Sequence, residues 1–210
     1  MKLILSKIKT YFGKLDKLLL FMCMGIACFA VFIQYTLYEN DISSAVTASQ
    51  YKTQIIAFIA GLVIAMALAA INYKYLAKLW FIYVPLAMGL TLLLFTPLGI
   101  QREGADDIGW LDLGIMTIQP SEILKLAFIL SLAVHLSKVE DRMNEPIHFI
   151  LLCIHGAIPT LLIRQTGDDG SALVFLFIFI CMMFAAGLSW KYLVMIAVAC
   201  LLYTSDAADE

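Results

Sequence analysis

Long stretches of this chain carry no charged side chain at all. Leu18–Tyr38, Thr53–Tyr73, Leu79–Gln101, Pro146–Ile163 and Gly170–Trp190 are free of Asp, Glu, Lys and Arg. Each runs for about 20 residues, the length at which a helix crosses a ~30 Å hydrocarbon core. A sixth candidate, about Pro120–Leu136, is interrupted by Glu122 and Lys125, and a seventh begins at Tyr192. The pattern predicts an all-α fold, a polytopic membrane helix bundle with six complete transmembrane helices and the start of a seventh. Pro85 and Pro159 fall inside spans and predict local bends, which membrane bundles tolerate when neighbours satisfy the freed carbonyl.

Composition points the same way. Hydrophobic residues make up 62% of the 210 and charged residues 14%, against about a quarter charged in a soluble domain. Mean hydropathy is +0.92 and the formal charge is −2. These values exclude a disordered chain, a nucleic-acid binder with a basic face and an ordinary water-soluble enzyme; the partners are membrane lipids, with no nucleic acid. Cys23, Cys28, Cys153 and Cys181 lie in apolar stretches, no C-x-x-C pair exists, and the three histidines are scattered singly. The cysteines read as small buried apolar residues with no redox or metal role.

Charge sets the orientation. Lys2, Lys7, Lys9, Lys14 and Lys17 precede an apolar run too long for a cleavable signal. With the amino terminus in the cytoplasm, Lys74, Lys78, Lys138, Arg142 and Lys191 also fall inside, and only Lys52, Arg102 and Arg164 fall outside. That asymmetry predicts a multi-pass protein of the cell membrane with a cytoplasmic amino terminus. The outer side is acidic: Glu39, Asp41, Glu103, Asp106, Asp107, Asp112, Asp168 and Asp169 map there.

Two outer segments carry the chemistry. The first, Gly99–Lys125, begins as a loop rich in Gly and Asp and ends in a helix. Gln119-Pro120-Ser121-Glu122 has the form of a helix start, with proline at the first helical position and a glutamate able to cap free N–H groups. Lys125 follows Glu122 at i+3 on the same face, so the two read either as a structural ion pair or as a holder for a polar or phosphorylated substrate. Trp110 reads either as an interfacial anchor or as a platform for a sugar or lipid headgroup. The second segment, Arg164–Ala172, joins two spans by a short polar turn. In it Ser171 can cap the next helix, and Asp168 can stand as a carboxylate at a cavity mouth, binding a cation or a proton.

At these residues the chain closely resembles the SEDS family of shape, elongation, division and sporulation proteins, which includes RodA, FtsW and SpoVE. The run IQPSEILK at Ile118–Lys125 is similar to the family's most specific signature. Trp110–Gly114, WLDLG, resembles its upstream loop, and Asp168–Ala172, DDGSA, resembles its Q-P-D-x-G-[ST]-A segment. Weaker likeness lies at Asp16, at Gln54 to Gly61 and at Asn72-Tyr73. The chain departs from the pattern at Gly109, where the family commonly has Arg, in two extra residues within Gly104–Gly109, and at Thr166-Gly167.

The resemblance implies a peptidoglycan glycosyltransferase of about ten membrane helices. It would polymerise lipid II, the undecaprenyl-pyrophosphate-linked disaccharide, into glycan strands for cell-wall elongation, division or sporulation. The partner it implies is a class B penicillin-binding protein. The substrate-binding or cavity residues carried over are Trp110, Gln119, Ser121, Glu122, Lys125 and Asp168. No catalytic residue is carried over, because the family's proposed base lies in a loop after span seven. A divalent cation, Mg2+ or Mn2+, is the one cofactor such chemistry would use. Residues 1–199 are read as the amino-terminal part of such a membrane domain, inserted but inactive alone. Residues 200–210, CLLYTSDAADE, match the translation of a transposon adapter used in sequencing libraries and are read as read-through. The same cavity would also suit a lipid II transporter, or flippase, and a non-catalytic scaffold is a third reading.

Overall fold

The computed structural model describes residues 16–40, 48–102, 104, 106–114, 117–192, 194, 195 and 198. The lysines before Asp16, Asp41, Glu103, most of the expected seventh span and the Cys200–Glu210 stretch lie outside them. The chain divides into two compact units, Met1–Tyr73 and Lys74–Glu210.

The first unit is a pair of apolar helices, α1 (Lys17–Glu39) and α2 (Ala48–Ala70), packed on each other. Asp16 starts α1: its carboxylate accepts the Leu19 N–H at 3.0 Å, satisfying one of the orphan donors of the first turn. Tyr51 on α2 meets Tyr35 at 5.6 Å and stacks on Tyr38 at 6.3 Å between ring centroids. No residue of α1 is buried within the chain.

A short helix, α3 (Tyr73–Lys78), leads into α4 (Trp80–Leu92), which tightens into a 3-10 turn at Leu93–Phe95. Here the structure corrects the expected span Leu79–Gln101, which ends six residues early. Thr96 precedes Pro97, and the proline ring disfavours helical backbone at the residue before it. Thr96 is accordingly extended, with φ −103° and ψ 171°. Its hydroxyl donates to the Leu93 carbonyl at 2.6 Å and accepts from the Leu98 N–H at 3.3 Å.

The chain then forms a small antiparallel sheet of β1 (Gly99–Ile100), β2 (Trp110–Asp112) and β3 (Thr117–Ile118), in the order β1-β2-β3. Helices α5 (Pro120–Val139), α6 (Pro146–Arg164) and α7 (Asp169–Ala185) follow, with a 3-10 turn at Glu140–Arg142 between the first two. The expected span Gly170–Trp190 is also shorter than foreseen. Gly187 takes φ +87°, and the Leu188 N–H closes onto the Met183 carbonyl at 3.1 Å, a left-handed helix stop.

Among the described residues, Lys17–Glu39, Tyr51–Ala70 and Pro146–Arg164 are long and apolar enough to cross a membrane, and Trp80–Phe95 and Asp169–Ala185 are shorter apolar helices. Helix α5 packs against α4, α6 and α7. Its Leu124, Phe128 and Leu132 are buried with Leu152 of α6 and Phe175 and Met183 of α7. The Phe128 and Phe175 rings meet at 5.5 Å.

A polar chain crosses this apolar core. Ser131 Oγ lies 3.0 Å from His155 Nε2, and His155 Nδ1 lies 3.0 Å from His135 Nδ1. The Ser131 hydroxyl donates to the Phe128 carbonyl at 3.1 Å. With its one proton so placed, the hydroxyl accepts from His155 Nε2–H, which leaves His155 Nδ1 bare to accept from His135. Two of the histidines that look scattered in sequence are therefore joined. The α5–α6 hairpin brings residues twenty apart to one level. Beside them is a cavity of about 230 Å³, lined in part by Val84, Met88, Leu124, Phe128, Ser131 and His155.

Candidate functional site

The sheet is held in place by its middle strand. Leu111 is fully buried, opposite Gly99 on one side and Ile118 on the other. Gly99 is required by close approach, because a Cβ there would run into the Leu94 carbonyl oxygen. Asp112 Oδ1 accepts the Gly114 N–H at 2.8 Å, and Gly114 has φ +77°, which sets the turn out of β2.

Trp110 opens β2, pairs with Ile100 across the ladder and is half-buried. The Arg102 guanidinium lies over its ring, 3.5 Å from the ring centroid, and Arg102 Nη2 donates to Thr117 Oγ1 at 3.4 Å. One arginine thus spans the sheet from the end of β1 to β3 with the indole between. Sequence reasoning missed this contact, because it looked for a cation at the position before the tryptophan and found Gly109. The available signal was spacing. Arg102 is two residues beyond Ile100, the ladder partner of Trp110.

Gln119 stands at the start of α5 in extended backbone, φ −103° and ψ 105°, and its side chain makes no capping bond. Pro120 occupies the first helical position. Ser121 is buried, and its Oγ has no hydrogen-bond partner among the described residues. Glu122 does not turn back to cap the helix. Its Oε1 accepts from Lys125 Nζ at 2.6 Å, one turn deeper. The pair is open on one side: the Glu122 side chain is 61% exposed and that of Lys125 17%.

In the turn between α6 and α7, the helix cap is Asp168 and not the expected Ser171. Asp168 Oδ1 accepts the Ser171 N–H at 2.8 Å. Asp169 lies 3.6 Å from Arg164. This turn and the long loop touch. The Ile108 N–H donates to the Thr166 carbonyl at 2.9 Å, and Gly167, at φ +85°, brings its Cα side within 3.3 Å of Asp107 Cα, measured from an ideal Cβ. The two segments singled out in the sequence are therefore in contact. Trp110, Gln119, Ser121, Glu122 and Lys125 follow one another along β2 and the start of α5, and Asp168 sits in the turn that the loop grips. Among the described residues no group of three His, Cys, Asp or Glu side chains is placed to hold a metal ion.

The family described as cell cycle protein, that of FtsW, RodA and SpoVE, matches residues 14–206. The chain belongs to this family. Among FtsW/RodA/SpoVE members, it is 31% identical over 191 residues to a probable peptidoglycan glycosyltransferase FtsW of Geobacter sp. (strain M18), covering 85% of this chain and 49% of that protein. It is 27% identical over 188 residues to the peptidoglycan glycosyltransferase MrdB of Escherichia coli (strain K12), covering 87% and 47%. The crystal structure of the rod shape determining protein RodA of Thermus thermophilus matches with a TM-score of 0.63 and 26% identity over 84% of this chain and 58% of that one. A chain of a peptidoglycan synthase complex shares the fold, with a TM-score of 0.73 and 24% identity over 93% and 55%. The chain spans about half the length of the curated relatives it matches.

Proposed function

We propose that the protein is a peptidoglycan glycosyltransferase that polymerises lipid II at the outer face of the cell membrane, with the amino terminus in the cytoplasm. The observation that carries this reading is the contact between the two family-like segments through the Ile108–Thr166 hydrogen bond. Two curated FtsW/RodA/SpoVE relatives named as peptidoglycan glycosyltransferases support it. In the full protein we place this chain as the first six of about ten spans and the beginning of the seventh, working with a class B penicillin-binding protein.

In this reaction the C4 hydroxyl of the incoming disaccharide attacks the reducing-end carbon of the growing strand. The new bond is C–O, the broken bond joins that carbon to the diphosphate oxygen, and the hydroxyl proton passes to a base. Undecaprenyl diphosphate leaves with the bonding electrons, so positive charge near it lowers the barrier. Trp110 offers a ring at the rim of the site for a sugar face. Lys125, oriented by Glu122, offers an ammonium group. None of the residues described here is assigned the base. A divalent cation would add further charge, but the described residues do not gather a ligand set for one, and no step is routed through it.

The test is the full-length native protein in proteoliposomes with lipid II and its penicillin-binding partner. Glycan strands are expected from the wild type, wild-type levels from Trp110→Phe within about threefold, and none from Trp110→Ala at equal membrane abundance. Translocation of lipid II without strand synthesis would overturn the reading in favour of a transporter.

A further inference from the structure

We propose that Arg102 is a phosphate-recognising residue: it fixes the plane of Trp110 and presents the edge of its guanidinium to the diphosphate ester of the lipid-linked substrate. The identity of the ligand rests on the glycosyltransferase reading, while the geometry stands without it.

The charges at this end of the second unit are engaged in different ways. Lys125 is held by Glu122 at 2.6 Å, and Arg164 lies 3.6 Å from Asp169. Two carboxylates are occupied by backbone donors: Asp112 takes the Gly114 N–H, and Asp168 takes the Ser171 N–H. Arg102 differs from both cations. Among the described residues it forms no ion pair; its face lies on an indole and a single N–H goes to a threonine hydroxyl. A guanidinium carries five N–H donors, so most of them have no acceptor among the described residues.

Stacking does more than park the charge. Contact at 3.5 Å from the ring centroid removes water from the side of the guanidinium that faces the indole. The bond to Thr117 ties one end of the guanidinium to β3. The remaining N–H groups then radiate at the rim of Trp110 as a preset fork, the geometry that meets two oxygens of one phosphate at once. A lysine has neither the planar face nor the fork. In a sugar diphosphate the phosphate is bonded directly to the sugar, so a cation at the edge of an aromatic platform reads both parts together. That places recognition of the leaving group and of the sugar on one cross-strand contact.

The experiment measures equilibrium binding to the full-length native protein in nanodiscs of phosphatidylcholine, with lipid II and separately with undecaprenyl diphosphate. Arg102→Ala is expected to weaken both about tenfold, and Arg102→Lys to recover less than half of that loss on a logarithmic scale. A parallel series replaces phosphatidylcholine with increasing phosphatidylglycerol. Equal affinities for Arg102→Ala and wild type, or full rescue by lysine, would overturn the proposal. So would a loss that appears only as phosphatidylglycerol rises, which would give Arg102 to a phospholipid headgroup. Wild type that binds lipid II through Arg102 without polymerising it would sink the glycosyltransferase reading and leave this one standing. Wild type that does not bind lipid II at all would sink both. Should Arg102→Ala fail to accumulate, Arg102→Gln, which keeps a planar amide against the ring, carries the same expectation.

Discussion

Helix α5 carries two polar devices, and they are built on opposite principles. Near its first turn, Glu122 and Lys125 form an ion pair within one helix, with the carboxylate largely exposed. Eleven to fifteen residues from its start, Ser131 and His135 meet His155 of α6 in a chain of uncharged hydrogen bonds between two helices. A pair within one helix cannot hold two helices together, and an open charge remains available to a ligand. A neutral chain across a helix interface does the reverse. It satisfies donors and acceptors that lipid cannot, and so ties α5 to α6. The first is charged and open on one side, and the second is uncharged and joins two helices.

The largest expected effect breaks the uncharged chain. His155→Leu leaves the His135 Nδ1–H and the Ser131 oxygen without their partner in an apolar core. The cost is about 1–3 kcal/mol of stability, the typical penalty for a stranded buried polar group. Denaturant unfolding in bicelles measures it. The double variant His135→Leu/His155→Leu removes both imidazoles and is expected to recover part of the loss, a positive coupling in the double-mutant cycle. Costs that simply add would show that the 3.0 Å contact between the rings carries no energy.

A smaller effect separates structure from charge in the turn before α7. Asp168→Ala removes the cap and is expected to cost about 1 kcal/mol. Asp168→Asn keeps an acceptor for the Ser171 N–H and is expected to lie within a few tenths of wild type in stability. If the asparagine variant is stable and polymerises lipid II normally, Asp168 serves as a cap alone. If it is stable and inactive, the charge itself acts, as the cavity-mouth reading of the sequence expects.

How much of this was legible beforehand differs from one part to another for physical reasons. Hydrophobic blocks located α1 and α6 to within one residue at each end, because the length of an uncharged run is a property of the chain itself, whereas α2 begins five residues before the uncharged run and takes in Lys52. The ends of α4 and α7 were missed. Both are set by local backbone chemistry, Thr96 before Pro97 and Gly187 in the left-handed region, inside runs that stay apolar beyond the stop. The i+3 spacing predicted the contact of Glu122 with Lys125, since one helix fixes it. The small sheet was invisible, because two- and three-residue strands leave no periodicity. With it went the Arg102–Trp110 contact, which depends on ladder register. The His135–His155 contact needed the α5–α6 hairpin, a tertiary fact that residues twenty apart do not announce.

The smallest stability effect tests the other half of the comparison. With Glu122 largely exposed, the ion pair belongs with surface pairs, worth about 0.2–1 kcal/mol, and not with buried pairs, whose disruption costs several. Glu122→Gln and Lys125→Met are therefore expected to unfold within about 1 kcal/mol of wild type, with a coupling energy no larger than that. Activity is expected to behave differently. If Lys125 acts on the diphosphate and Glu122 only orients it, Lys125→Met loses at least tenfold in kcat/KM for lipid II. Glu122→Gln, which keeps a hydrogen-bond acceptor for the ammonium group, loses less. The double variant then resembles Lys125→Met alone, since orienting a missing group does nothing. A double variant as damaged as the product of the two single losses would show that Glu122 works independently of Lys125, and the ion pair would lose its place in the site.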